Sequence, residues 1–460
     1  MIISKALFVT ATVTILIFSM TGVSYQQVQF FFDEEGVAVV EDEEVEDEVA
    51  VEGGPCIGYE TAEKTIAINC NASFLDVVQT INNPQILENG GNGEYILNAN
   101  LEVADGITFA MTSNGNGLQY LKITGANGII VHGRIEISGI TITSWDTETD
   151  SPVSQTNTGS VPRAFINLRG SEGSLIQDSE IAYLGYNEPA RRGFDLIGDG
   201  PSHDVEIRDS KFHDMWMAFY SNGAYNITVD GNEYYNNILY AIDPHTGTHN
   251  MTVSNNKVYN NNGIAVICSL DCYDIMFERN EVHDNGAAGL MFSRATRDST
   301  IRDNIIYNQY ESAYPISISE SQNNEIYGNS ISNSTFGISV HNPVELDADG
   351  MSSNNRIYSN TFDNVQHAIR ARASSDNTFS NNVFGSVTNS HYIMAENAII
   401  HIENQIFDMV DVSGGSGDNT FSIQDSGTII IDNSIHHDTD LEPYAEVLSS
   451  QSMNIDSARQ

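Results

Sequence analysis

The chain predicts an all-β fold, a right-handed parallel β-helix with a short N-terminal capping helix, on three observations. One phrase, an apolar strand followed by a polar step ending in Asn or Ser, recurs from about Ser179 to Asn382. Its anchors are Ser179, Ser210, Asn232, Asn256, Asn280, Asn304, Asn329, Asn360 and Asn382, with gaps of 31, 22, 24, 24, 24, 25, 31 and 22. Within each phrase apolar and polar residues alternate, and Gly or Asn stands where the backbone turns, as in Ile227-Thr228-Val229-Asp230-Gly231-Asn232. A short β-rich period of this kind marks a solenoid, in which a single coil cannot bury a core but a stack can. Stacked Asn side chains at equivalent turns can then bond coil to coil.

The elements follow in order. Residues 1–26 have Lys5, an apolar run from Ala6 to Met20 and small residues Thr21-Gly22-Val23-Ser24, the layout of a signal peptide. The run is shorter than the ~20 residues of a spanning helix, and an uncleaved anchor tethering the chain through residues 6–20 is the other reading. Residues 27–54 are dense in acid, including Glu41-Asp42-Glu43-Glu44-Val45-Glu46-Asp47-Glu48, and read as a disordered linker. The β-helix is assigned to 55–435. It opens with Ser73-Phe74-Leu75-Asp76-Val77-Val78-Gln79-Thr80-Ile81, an N-cap Ser before an amphipathic spacing, which reads as a helix covering the open end of the stack. Irregular coils are expected from Tyr95 to Trp145. A loop from Asp146 to Val161 could overhang one face. Residues 436–460 lack periodicity and read as a flexible tail.

The formal net charge of −43 makes nucleic acid an unsuitable partner. Four cysteines lie in two close pairs, Cys56 with Cys70 and Cys268 with Cys272. Behind an export signal these suggest two disulfides, with a zinc site as the rival. No coil clusters carboxylates in a calcium-ligand pattern, so neither metal nor cofactor is expected. The sequons at Asn71, Asn226, Asn250 and Asn333 arise easily in an Asn-rich repeat. The chain is read as a monomer.

Against the repeat, Tyr240-Ala241-Ile242-Asp243-Pro244-His245-Thr246 stands out, because proline withholds a ladder donor and here lies between an acid and an imidazole. The bland reading is a capped coil corner. Aligning coils on the small residues Ala241, Gly263 and Gly289 places Ile267 and Ser293 in the His245 column, and Cys268 and Arg294 in the Thr246 column. Arg294 then lies two coils from His245, roughly 10 Å. Arg191 and Arg192 are cations that could hold a polyanion or simply balance Glu188 and Asp195. Tyr186 and Tyr220 could stack on sugars or fill coils; His249 is a further candidate contact. His341 returns to the His245 column four coils on, as a subsite or surface histidine.

These residues carry a resemblance. Asp243-Pro244-His245, the preceding Tyr240, Ala182-Tyr183-Leu184-Gly185-Tyr186 and the stretch from Ile140 to Trp145-Asp146 resemble the mannuronan C5-epimerases of the alginate system, over about Gly139 to Asp303. The resemblance implies that His245 removes the C5 proton and that a cation from a following coil neutralises the uronate carboxylate. The matching position holds Cys268, the fourth motif residue is Thr246 instead of Asp, and Arg294 is the nearest substitute. Asp243 would fix the imidazole or bind a sugar hydroxyl, and water or a tyrosine such as Tyr240 or Tyr220 would reprotonate. The expected partner is an anionic uronan, and the expected activity is C5 epimerisation outside the cytoplasm. A lyase on the same fold and a non-catalytic surface glycan binder are the alternatives, followed by a metal-assembly factor.

Overall fold

The computed structural model describes residues 55–407 apart from 114–116, 199, 311, 343–351 and 397, together with backbone strands between 10 and 39 and between 412 and 456. The chain divides into two units, Met1–Gly54 and Pro55–Gln460. In the first, Thr10–Ser19 pairs antiparallel with Gly22–Phe32, which also pairs with Ala38–Val39. The acidic run from Glu41 to Glu48, expected as a linker, lies outside the described residues. Among the described residues no helix is long and apolar enough to cross a membrane.

The second unit is a right-handed parallel β-solenoid of about 12 turns. A typical turn has three strands, such as Met217–Asn222, Tyr225–Asp230 and Glu233–Tyr235; the next turn lays Ile242–His245, His249–Ser254 and Lys257–Tyr259 against them in parallel register. Alternation along each strand sends Ile227, Val229, Tyr234 and Ile242 into one continuous interior, where each is at most 1% exposed. The expected anchors form an unbroken interior ladder. Each backbone N–H is taken by the next coil's side chain: Ser179 by Ser210 Oγ, Ser210 by Asn232 Oδ1, then Asn232 by Asn256, Asn256 by Asn280, Asn280 by Asn304, Asn304 by Asn329, Asn329 by Asn360 and Asn360 by Asn382. Each amide NH2 also donates to a strand carbonyl, as Asn256 Nδ2 does to Val229 at 2.9 Å. A second ladder, Asn237–Asn261–Asn285, serves another corner.

The capping helix spans Phe74–Ile81. Ser73 accepts from the Asp76 N–H while Asp76 accepts from the Ser73 N–H, and Phe74 and Val77 are buried. Both cysteine pairs are disulfides, Cys56–Cys70 and Cys268–Cys272. Two expectations are revised and a third is met. The coils between Tyr95 and Trp145 are regular, with Tyr120–Thr124 paired in register to Thr141–Trp145. Within the expected tail, Ser452–Asp456 pairs antiparallel with Ser426–Asp432. The loop from Asp146 to Val161 does overhang a face: at Gly159, with φ +65°, an added Cβ would meet the Trp216 indole at 2.8 Å.

The ladder makes a stability prediction. Asn280→Ala strips the partner from the buried Asn256 N–H and from Val253 O, at about 1–3 kcal/mol for each group left unpaired. The denaturation midpoint should therefore drop by the equivalent of about 3 kcal/mol; an unchanged midpoint would show that the ladder is not what holds the coils.

Candidate active site

The face built from Phe165–Leu168, Gly193–Leu196, Met217–Asn222, Ile242–His245, Val266–Ser269, Leu290–Ser293 and Ile316–Ser319 carries the site. Pro244 sits within an interior strand of this face, not at a corner. The ladder to the next coil holds on either side of it, through Ile242 N–H on Ala265 O at 3.0 Å and Thr246 N–H on Ser269 O at 3.0 Å. Alternation points Ile242 and Pro244 inward and Asp243 and His245 outward.

Register differs from the sequence alignment in the middle coil. His245 pairs with Ser269, and Ser269 with Ser293; Asp243 falls beside Ile267. Cys268 is therefore an interior residue, fully buried and disulfide-bonded, and does not occupy the position of a substrate-facing cation. The alignment slipped because Gly263 is small for another reason. It lies at a corner where an added Cβ would meet Leu239 O at 1.9 Å, while Ala241, Ala265 and Gly289 are the true equivalents.

Two coils on, as expected, Arg294 reaches back. Its Nη2 lies 3.0 Å from His245 Nε2, and its Nε donates to Ser269 Oγ at 2.9 Å. A guanidinium only donates, so Nε2 is an acceptor and the ring proton is on Nδ1, which donates to Thr246 Oγ1 at 2.6 Å. Thr246, and not Asp243, fixes the tautomer. Burial, then Arg294 and Arg192, push the His245 pKa down to about 4, so the ring is a neutral base at neutral pH.

Arg192 supplies a second guanidinium, 4.2 Å from the centre of the Tyr220 ring, which itself lies 5.6 Å from the His245 ring. Asp195, Tyr220 and Asp243 are successive residues of one column. Burial raises the Asp243 carboxyl to about 8 and the Asp195 carboxyl to about 7, and it raises the Tyr220 phenol to about 12. Oδ1 of each carboxyl has no hydrogen-bond partner, while Asp195 Oδ2 accepts from the Arg192 N–H at 2.6 Å. Tyr240 packs against the cluster of Trp216, Met217 and Tyr220, its phenol raised by burial and then by Asp243.

The structure thus gathers His245, Asp243, Thr246, Arg294, Arg192, Tyr220 and Tyr240. Arg191 and Tyr186 instead bond to each other at 2.9 Å in the loop beside Phe165. His249 is a correction: it belongs to the adjacent face, stacked between Tyr225 and Tyr273. His341 lies four coils beyond His245. Sequence reading weighed Asp195 only as a counter-charge and did not single out Ser269; both become visible once register is known. It also did not find Glu172, His203 and Asp204, whose potential ligand atoms lie within 4.8 Å of one another. That group is already tied internally, by His203 Nδ1 to Asp204 at 2.8 Å.

Neutral His245 can be tested directly. By NMR its ring should titrate near 4, and Arg294→Gln, by removing a positive neighbour, should raise that value toward 6.5. Because the unfolded ring binds a proton near 6.5 and the folded ring only near 4, this residue makes the fold more stable as pH rises through that window. A ring titrating at 6.5 in the native protein would contradict the buried geometry.

Comparison with known proteins adds the following. The family described as right handed beta helix region matches residues 196–345 and 246–434. A mannuronan C5-epimerase of Pseudomonas syringae pv. tomato is 27% identical over 170 residues, covering 35% of this chain and 31% of its own. Mannuronan C5-epimerase AlgG of Azotobacter vinelandii is 26% identical over 162 residues, covering 33% and 30%. The chain spans about a third of the length of these relatives. The crystal structure of the periplasmic alginate epimerase AlgG superposes with TM-score 0.63 at 21% identity, covering 81% of this chain and 85% of that one. The A-module of Azotobacter vinelandii mannuronan C-5 epimerase AlgE4 gives 0.52 at 15% identity, covering 64% and 86%. These structural likenesses are of fold.

Proposed function

This chain belongs to the right-handed β-helix family, and on that scaffold we propose that it is a uronan C5-epimerase, converting mannuronate-like residues of an anionic polysaccharide to guluronate-like ones. One observation carries the reading: a neutral imidazole held with its lone pair against a guanidinium, His245 Nε2 to Arg294 Nη2 at 3.0 Å. The C5 hydrogen of a uronate is α to a carboxylate and very weakly acidic, so its removal needs a base against the hydrogen and positive charge on the carboxylate. The pair supplies both. The sugar carboxylate engages the planar fork of Arg294, with Arg192 as second cation, and draws Nη2 off the ring. The freed Nε2 takes the C5 proton as the C5–H bond breaks, and the electron pair passes into the carboxylate.

Reprotonation from the opposite face inverts C5. Tyr220 and Tyr240 are neutral phenols, kept so by burial. Asp243, also held protonated at neutral pH, presents an O–H donor to the carboxylate as charge builds on it. The names of the relatives agree with this reading. An exported location accords with the signal-like layout of residues 1–26, with the two disulfides, and with the periplasmic setting stated for the solved AlgG.

Proton NMR of polymannuronate incubated with the protein in D2O tests the proposal. Guluronate signals with deuterium at C5 and no absorbance from unsaturated uronate are expected, and His245→Ala should slow the reaction by about 10²-fold or more. Growing absorbance would identify a lyase instead, and full activity in His245→Ala would remove the assigned base.

A further inference from the structure

We infer that the groove holds a second, distal clamp for a uronate carboxylate, formed by Arg370, His341 and Tyr314, so that the substrate is gripped at two points about four coils apart. The inference rests on the uronan reading and adds to it a requirement for chain length. Register gives the placement. From His245 the column runs through Ser269 and Ser293; Phe292 pairs with Ile318, which sets Ser319 next, and Ser319 pairs with His341. Four steps of roughly 4.8 Å put His341 about 19 Å from His245 along the same face.

The surroundings of His341 repeat those of His245. His245 has a tyrosine ring at 5.6 Å tilted by 32°, and His341 has Tyr314 at 6.3 Å tilted by 33°. The position two residues before each histidine faces the groove: Asp243 in one case, Ser339 in the other, and Ser339 Oγ lies 3.1 Å from His341 Nδ1. Two guanidiniums flank each ring. Here they are Arg370 and Arg372, which pair with Ser339 and His341 across the next coil step. Burial, then Arg370 and Arg372, lower the His341 pKa to about 4, as burial with Arg294 and Arg192 does at His245.

The differences decide the role. Ser339 stands at the position that Asp243 holds beside His245, so the column residue two before His341 offers a hydroxyl where the reacting centre has a buried carboxyl. Arg372 is spoken for, with its Nε 2.8 Å from Glu396. Arg370 donates to the Tyr314 hydroxyl and, among the described residues, has no acidic partner. A guanidinium with no acidic partner among the described residues, on a face of a protein with net charge −43, is suited to an anion, and Arg370 offers a fork that matches a carboxylate. A 1,4-linked pyranose ring is of the order of one coil step long, so a chain laid along the face with one uronate at Arg294 brings another to Arg370 several rings away.

Oligomannuronates of three and eight residues test this by calorimetric binding and by C5 exchange in D2O. The wild type should bind the longer chain more tightly. Arg370→Gln should weaken the longer chain on the order of tenfold and leave the shorter one unchanged, as expected for loss of one charge-assisted contact. Tyr314→Phe provides a milder second variant. Arg356→Gln, which removes an exposed cation paired with Glu325 on another face, should change neither. Binding of the longer chain that depends on Arg370 without C5 exchange would keep the clamp and remove the epimerase. Exchange with equal affinity for both lengths, or an Arg370→Gln protein that folds and binds like the wild type, would overturn the clamp and leave the epimerase standing. No binding of the longer chain would overturn both.

Discussion

Everything in this molecule depends on coil-to-coil register. A side chain at the groove takes only part of its orientation from its own coil, as His245 does from Thr246, and the rest from the coils above and below. Its neighbours come from residues some 24 positions away, brought alongside by the parallel ladder. The interior Asn column locks that registration, since each amide both accepts from one coil and donates to a strand carbonyl of another. A slip of one residue would orphan a run of buried N–H groups at once and turn the interior apolar set outward. The contact between His245 and Arg294, residues 49 apart in sequence, is a by-product of this bookkeeping-free geometry: two coil steps and one arginine side chain span the gap.

Burial then sets the chemistry. The same desolvation that lowers the basicity of His245 raises the pKa of Asp195, Asp243 and Tyr220, so the site holds a neutral base, a raised Asp243 carboxyl, a neutral phenol and two fixed positive charges. That combination suits a reaction in which negative charge appears on the substrate only transiently. Arg294 is central to it. Its Nη2 faces the His245 lone pair, and its Nε donates to Ser269.

Much of the fold was legible because the repeat writes one anchor per coil. Every anchor named from the sequence lies in the ladder, and Ser73 caps the helix as its position implied. The site was legible where chemistry violates the repeat, as at Asp243-Pro244-His245. It was obscured where a small residue had two possible meanings: Gly263 marks a crowded corner and not a strand start, and aligning on it moved Cys268 to the surface. Asp195 was hidden by the gap of 31 between Ser179 and Ser210, which conceals its column with Tyr220 and Asp243. His249 looked like part of the motif by proximity, but the chain turns at Gly247 and carries it to the next face.

Three guanidiniums without an acidic partner among the described residues, Arg192, Arg294 and Arg370, share one face, and this has a kinetic consequence. A protein of net charge −43 and a polyanion repel one another at long range, whereas Arg192, Arg294 and Arg370 offer local positive charge along the groove. Mobile ions screen the long-range repulsion beyond about 10 Å at 0.1 M and weaken the seated contacts far less. Raising ionic strength from near zero therefore speeds encounter before it loosens grip, the reverse of the usual behaviour of enzymes on charged polymers. For a polyanionic ligand, the acidic body would then oppose encounter most at low salt, and added ions would relieve that opposition first.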